Sequence, residues 1–365
     1  MRLIAAAAVL VGLIAASPAG AAQRVPYRFF GVSVDGAMLA PSIDQAHEFG
    51  VMTKVGVEAI TVEVNWNFLQ PKQDRPPNYS RVDRVMLNAA RRGMTALADV
   101  LYAPKWASVD PTKGASPPKP GPYAEFLRAL VQRYGPEGSL WAAHPEVTPS
   151  PIRDWQVWNE PPSTGFWSAQ PFQKRYVALL RYARFAIKGT DAGARVVLAG
   201  LTFKSWEDLG KIYAAGGKGL FDVVSLHPYT LEPANVKYIV KLNRRVMQQH
   251  GDGAMPIMIT ELSWPSAKGK SSQHYGYEVT PKEQAQKLAA VLPMLAAARK
   301  RLGIERVYWF SWLSTDRGHF TFDYSGLRTV RGTKVFDKPA LAAYRKGALA
   351  LEGCKRKGAT VARCG

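Results

Sequence analysis

Cysteine is nearly absent from this sequence: of 365 residues only Cys354 and Cys364 are cysteines, both close to the C-terminal end. Two thiols with no histidine beside them argue against a metal site and leave a Cys354–Cys364 disulfide closing a small terminal loop as the expected pairing, with free thiols as the alternative. Histidine is also scarce, with six scattered through the chain and no HExxH or other paired spacing. No glycine-rich phosphate loop occurs, since the turn after the first apolar run reads Val34-Asp35-Gly36-Ala37-Met38. Together these absences exclude the common metalloenzyme and dinucleotide motifs, and no metal or organic cofactor is expected.

Long apolar runs are lacking as well, apart from Leu3 to Ala16, which follows the single charge of Arg2 and precedes the small-residue stretch Ser17-Pro18-Ala19-Gly20-Ala21-Ala22. That run is short of the roughly 20 residues a spanning helix needs. Residues 1–22 therefore read as an export signal, and the expected location is secreted or periplasmic and cell-envelope associated, with no integral membrane segment after cleavage. Acidic residues are under-represented, 28 against 48 basic, for a formal charge of +20. Such a balance draws anionic partners, acidic polysaccharides among them. The bases are nonetheless dispersed, with no nucleic-acid module, so no nucleic-acid partner is expected.

What the sequence does contain is alternation. Short β-prone runs at Phe29–Val34, Ala59–Val64, Thr95–Leu101, Ile152–Trp158, Arg195–Ala199, Val223–Leu226, Ile257–Thr260 and Arg306–Phe310 are separated by amphipathic stretches such as Tyr123–Tyr134, Pro171–Lys188, Val236–His250 and Lys282–Arg301. Eight such units predict an α/β fold, a single-domain (β/α)8 TIM barrel over residues 23–350, followed by a basic tail at 351–365. The long loop Ala107 to Pro122 and the segment Ser263 to Thr280 are expected to wall the cleft.

In this architecture chemistry gathers at the C-terminal ends of strands. There the sequence places Trp158-Asn159-Glu160-Pro161 after strand four, His227-Pro228-Tyr229 after strand six, Thr260-Glu261-Leu262-Ser263-Trp264 after strand seven and Trp309-Phe310-Ser311-Trp312 after strand eight. Two carboxyls facing one another across a barrel mouth are what glycosidic bond cleavage needs, one to protonate the leaving oxygen and one to meet the anomeric carbon. Glu160 and Glu261 are the candidate catalytic pair. His227 and Tyr229 are candidates to orient Glu261, and Trp66, Trp106, Trp309 and Trp312 are candidate platforms for the apolar face of a sugar. Trp155, inside the fourth strand, reads as core.

The motifs Trp158-Asn159-Glu160-Pro161 and Ile259-Thr260-Glu261 resemble the paired signatures of clan A glycoside hydrolases, closest to family 39 and related polysaccharide-processing hydrolases. Tyr102-Ala103-Pro104-Lys105-Trp106 after strand three and Trp66 to Gln70-Pro71 after strand two fit the same pattern. The resemblance implies hydrolysis of an extracellular or cell-envelope oligo- or polysaccharide by double displacement, with Glu261 as nucleophile, Glu160 as acid/base and Asn159 bonded to the sugar 2-hydroxyl. Relatives often carry an arginine on strand two, whereas this sequence reads Thr61-Val62-Glu63-Val64-Asn65. The alternatives are a carbohydrate-binding barrel without turnover and a transglycosylase using the same two glutamates.

Overall fold

The computed structural model describes residues 24–352 and 360–361. The expected export signal, Cys354 and Cys364 lie outside the described residues. Eight parallel strands, β1 (Phe30–Val34), β2 (Ala59–Asn65), β3 (Thr95–Leu101), β4 (Asp154–Val157), β5 (Arg195–Val197), β6 (Val224–Leu226), β7 (Ile257–Ile259) and β8 (Ile304–Trp309), pair in the order β5-β4-β3-β2-β1-β8-β7-β6. Parallel bridges Val197↔Val223 and Leu201↔Leu226 bring the two edges together, so the sheet closes into the expected (β/α)8 barrel. Each strand feeds a helix: α1 (Gln45–Lys54), α2 (Ser80–Arg91), α3 (Pro120–Tyr134), α4 (Gln173–Thr190), α5 (Ser205–Ala214), α6 (Pro233–Gln249), α7 (Pro281–Leu302) and α8 (Pro339–Glu352). None of the described helices is long and apolar enough to cross a membrane.

Local chemistry explains these boundaries. In α2 the buried residues Val82, Val85, Met86, Ala89 and Ala90 recur at three and four positions and turn one stripe to the sheet. At the start of α7, Thr280 and Glu283 form a reciprocal capping box with Pro281 behind it, and Gly303 ends the helix in the left-handed region at φ 62°. Strand β4 is shorter than the sequence suggests; beyond it Trp158 adopts φ 72°, although its N–H still bonds the Val100 carbonyl and Asn159 bridges Gly200.

Alternation along the strands sets the barrel interior in layers. The lowest is a separate apolar cluster of Ala59, Leu97, Val197, Val223, Met258 and Tyr308, all fully buried. Gly31 has no room for a side chain: a Cβ there would lie 2.4 Å from the Tyr308 ring, so glycine on β1 is what lets that ring fill the floor. Near this end Arg195 binds Asp154 and Glu305, and Arg306 binds Asp154. Two residues further along the strands the layer turns polar, with Ser33, Thr61, Asp99, Gln156, Ser225 and Thr260. Beyond β8 a small sheet of β9 (Leu313–Ser314), β10 (Arg328–Arg331) and β11 (Lys334–Asp337) extends the wall above the barrel, an element the eight-unit reading did not anticipate.

Candidate active site

Glu160 and Glu261 leave the ends of β4 and β7 and converge. One carboxylate oxygen of each, together with a ring nitrogen of His227, lie within 4.8 Å of one another. His227, buried beneath the pair, sets its Nδ1 2.8 Å from Glu160 Oε1 and 3.5 Å from Glu261 Oε2. Tyr229 donates its hydroxyl to Glu261 Oε2 at 2.6 Å. These three are also the one Asp/Glu/His/Cys group among the described residues compact enough to hold a metal ion, although an ion there would occupy the same carboxylate lone pairs that an acid–nucleophile pair must keep free.

A chain of hydrogen bonds fixes the imidazole. Ser225 donates to Gln156 Oε1 at 3.0 Å, Ser225 and Thr260 share a short hydroxyl contact, and Thr260 Oγ1 lies 3.0 Å from His227 Nε2. With Ser225 donating to the amide, Thr260 donates to Ser225 and accepts from Nε2–H, so Nδ1 can donate to the carboxylates only when the ring is the doubly protonated imidazolium. The ring sits against Gly200, where a Cβ would come within 1.9 Å of His227 Nε2. Gly200→Ala is therefore expected to displace the imidazole and lower kcat/KM by roughly 100-fold, with the barrel still folded by circular dichroism.

Burial opposes the charge on His227, but the carboxylates of Glu261 and Glu160 outweigh it and raise its pKa above the ordinary value. Burial also lifts Glu261 to about 7; the charge of His227 and the Tyr229 hydrogen bond pull the other way, while Glu160 and Glu63 add to the rise. Hydrogen bonding from neighbours thus favours an ionised Glu261, yet desolvation is the larger effect. The acid limb of kcat/KM is expected near pH 7, because Glu261 is protonated below it. Tyr229→Phe removes a donor to the carboxylate and should move that limb upward by about one unit in a pH–rate profile.

The pair opens into a cavity of about 570 Å³. Asn159 lines it, buried, with its Oδ1 unpartnered, and so does Tyr229; His227 lies just below the lining. The tryptophans do not line it. Trp66 is fully buried, stacked on Phe126 with its indole N–H on Gln70. Trp309 donates to the Ser325 carbonyl against Trp264, and Trp312 donates to Glu48, which also pairs with Arg328. Trp106, partly buried, packs edge-on against Trp66 with its N–H on the Gln70 carbonyl. Each expected platform is thus spent on packing, its N–H satisfied within the fold.

The aromatic surface comes instead from Tyr102, Phe166, Phe203, Tyr275, Phe320 and Phe322. Phe203 is 61% exposed, Phe320 41% and Tyr275 38%, and what sets them apart from exposed aromatics elsewhere on the surface is that they share one cavity. Tyr102, Glu160 and Phe203 hold positive φ of 59°, 38° and 48°, and strained backbone at three strand ends around one cavity marks a site that the surrounding fold over-determines. Segment 263–280 forms a wall, as expected, through Gln273, Tyr275 and Tyr277. Loop 107–122 does not. It folds on itself through Val109 N–H to Pro117 and Lys119 N–H to Ala107, and the opposite wall is supplied by residues 163–166 and 310–323.

Sequence reasoning also missed Asp35, Glu63 and Asp99, which line the cavity from the ends of β1, β2 and β3. Glu63 and Asp99 are neighbours in the β2–β3 register. The available signal was a carboxylate on the inward parity of an otherwise apolar run, the one parity where solvation is least.

No family model matches the sequence, and no curated protein is detectably similar to it. Solved structures do match. A family 39 glycoside hydrolase from the gut symbiont Bacteroides cellulosilyticus WH2 superposes with a TM-score of 0.66 at 17% identity, over 90% of this chain and 64% of its own. A monomeric beta-xylosidase from Caulobacter crescentus CB15 gives 0.64 at 18% identity, over 89% of this chain and 69% of that one. A family 51 alpha-L-arabinofuranosidase from Bifidobacterium longum gives 0.63 at 12%, over 90% and 74%. The chain spans about two thirds of the length of the first two, and at these identities the likeness is one of fold.

Proposed function

We propose that the protein is a retaining glycoside hydrolase acting on an oligo- or polysaccharide outside the cytoplasm, with Glu261 as nucleophile and Glu160 as acid/base. The observation that carries this reading is that one oxygen of the Glu160 carboxylate and one of the Glu261 carboxylate lie within 4.8 Å of each other beside His227. Retaining enzymes hold the pair about 5–5.5 Å apart, whereas inverting enzymes leave about 6.5–9.5 Å for a water between them. The glycoside hydrolase neighbours support the activity class, and the signal-like residues 1–22 support export.

In the first step a Glu261 oxygen attacks the anomeric carbon as the glycosidic bond breaks, and the proton of the Glu160 carboxyl passes to the leaving oxygen. Glu160, now a carboxylate, takes a proton from water; the hydroxide attacks the same carbon, the ester to Glu261 breaks, and the pair returns to its starting state. The Nδ1–H of His227 can follow the negative charge from one carboxylate to the other. Asn159 is assigned to the sugar substituent on the carbon beside the anomeric carbon, and the exposed Phe203, Tyr275 and Phe320 to flanking sugar faces.

The test is reducing-end release from neutral, acidic and amine-bearing polysaccharides, with the anomer of the first product read by proton NMR. Release with retained configuration is expected. An inverted product would overturn the double displacement, and transfer to sugar in preference to water would assign a transglycosylase.

A further inference from the structure

The chain carries 48 basic residues, yet no Lys or Arg among the described residues lines the cleft. Its carboxylates are six: Asp35, Glu63, Asp99, Glu160, Glu261 and Asp323. The positive charge lies elsewhere, for example around a separate surface cavity between α6 and the end of α7 lined by Lys237, Lys241, Arg244, Arg245 and Arg301. Net charge therefore describes the outside of this barrel and has the wrong sign for its mouth.

Bond cleavage uses two of the six; of the other four, Asp323 belongs to the 310–323 wall, and Asp35, Glu63 and Asp99 stand side by side just after β1 and on β2 and β3. Among the described residues the Asp35 side chain has no ion pair, and the hydrogen bond it accepts comes from its own backbone N–H. Glu63 has only a long contact, 3.4 Å, from Asn65 Nδ2, and Asp99, hydrogen-bonded by the Gln156 side chain, keeps its Oδ1 buried without a partner. Asn159, 4% exposed on the same cavity, also presents an unpartnered oxygen, so every orphan atom here is an acceptor. Burial and mutual repulsion raise Asp35 and Asp99 well above the ordinary carboxyl range, a cost that a bound donor of positive charge would reverse. The three do not come together tightly enough to form a metal-sized cage, because the one compact ligand group among the described residues is Glu160, His227 and Glu261. The three acids share one cavity with the catalytic pair.

We propose that the surplus carboxylates Asp35, Glu63 and Asp99, with the unpartnered Asn159 oxygen, form a subsite for an amino sugar whose nitrogen is a free ammonium, so that the substrate is a glycan with unacetylated hexosamine. The proposal rests on the glycosidase reading for its place beside the scissile bond but concerns recognition alone. An ammonium supplies three donors and a positive charge to four acceptors, whereas an N-acetyl group supplies one donor and no charge. Burial raises the pKa of these acids and a bound ammonium lowers it again, so any proton they hold is released to solvent on binding.

Calorimetry in two buffers of different ionisation enthalpy tests this on Glu261→Gln, where turnover is removed. The ligands are a glucosamine tetramer, a galactosamine tetramer, their N-acetylated counterparts and a tetragalacturonate. At least one amine-bearing tetramer is expected to bind 10-fold or more tighter than its acetylated counterpart, with net proton release and weakening by salt. Adding Glu63→Gln or Asp99→Asn should erase that preference and the proton release; each is near-isosteric, and a melting curve confirms folding. Equal or tighter binding of the acetylated or uronate tetramers, a preference that both substitutions leave intact, or no binding to any amine-bearing tetramer overturns the proposal. Parent enzyme that hydrolyses neutral glycans without amine preference would remove the subsite and leave the glycosidase; amine-selective binding with no hydrolysis by the parent would do the reverse.

Discussion

Glu261→Gln is expected to reduce kcat by ~10⁴-fold or more on any glycan the parent cleaves, while the barrel stays folded. The amide keeps the shape of the side chain and can still accept from Tyr229, whose hydroxyl lies 2.6 Å from Oε2, so the loss reports the missing nucleophile and not a collapsed site. Single-turnover kinetics with an aryl glycoside checks it: the parent shows a burst of aryl release and the variant shows none. The same substitution carries a stability signature of definite sign. Glu261 holds its proton to about pH 7 in the fold, against an ordinary value of 4.5, so the native state binds the proton more tightly and loses stability as pH rises through that window. Gln has no proton to lose. The variant should match the parent below pH 4.5 and exceed it above pH 7 by up to about 3 kcal/mol, seen as a higher Tm at pH 8 but not at pH 4. A pH-independent difference would show that the desolvation of this carboxylate is not what the fold opposes.

The second large effect falls on Glu160 and depends on the leaving group. Glu160→Ala removes the proton donor of the first step and the base of the second, so kcat on a natural glycan, whose alkoxide leaves poorly, should fall by about 10²–10⁴-fold. A dinitrophenyl glycoside needs no proton for departure; there the first step should stay near the parental rate while the glycosyl-enzyme accumulates and KM falls with kcat. Azide, which attacks without a general base, should restore turnover and yield a glycosyl azide of retained configuration. Equal loss on both substrates, with no azide effect, would assign the acid role to another residue.

The barrel was legible in the sequence because parallel strands buried on both faces leave continuous apolar runs, and the helices between them must show a three-and-four stripe. The carboxylate pair was legible for a related reason: strand ends are fixed by the ladder, so Glu160 and Glu261 could be placed on one rim without knowing any loop. The tryptophans were misassigned because nearness to a strand end says which rim a residue occupies and not which way its ring turns. Trp309 and Trp312 both turn away from the cavity, to Ser325 and Glu48, partners more than ten residues distant that no local pattern reveals. Loop 107–122 was misread for the complementary reason, since its own backbone bonds close it before it can reach the cleft. The acids Asp35, Glu63 and Asp99 escaped notice inside or beside apolar runs, although inward parity would have placed the latter two in the barrel.

The apolar floor made by Tyr308 and its neighbours also governs traffic. A barrel stoppered at its base is a blind vessel: whatever enters by the rim leaves by the rim, and a polymer cannot thread through it. A long glycan must either present its end or lie across the mouth and dip one residue toward the acids, and the freed sugar must retreat past the same Phe203, Tyr275 and Phe320 that received it. Bulk added at those three positions would slow arrival and departure together.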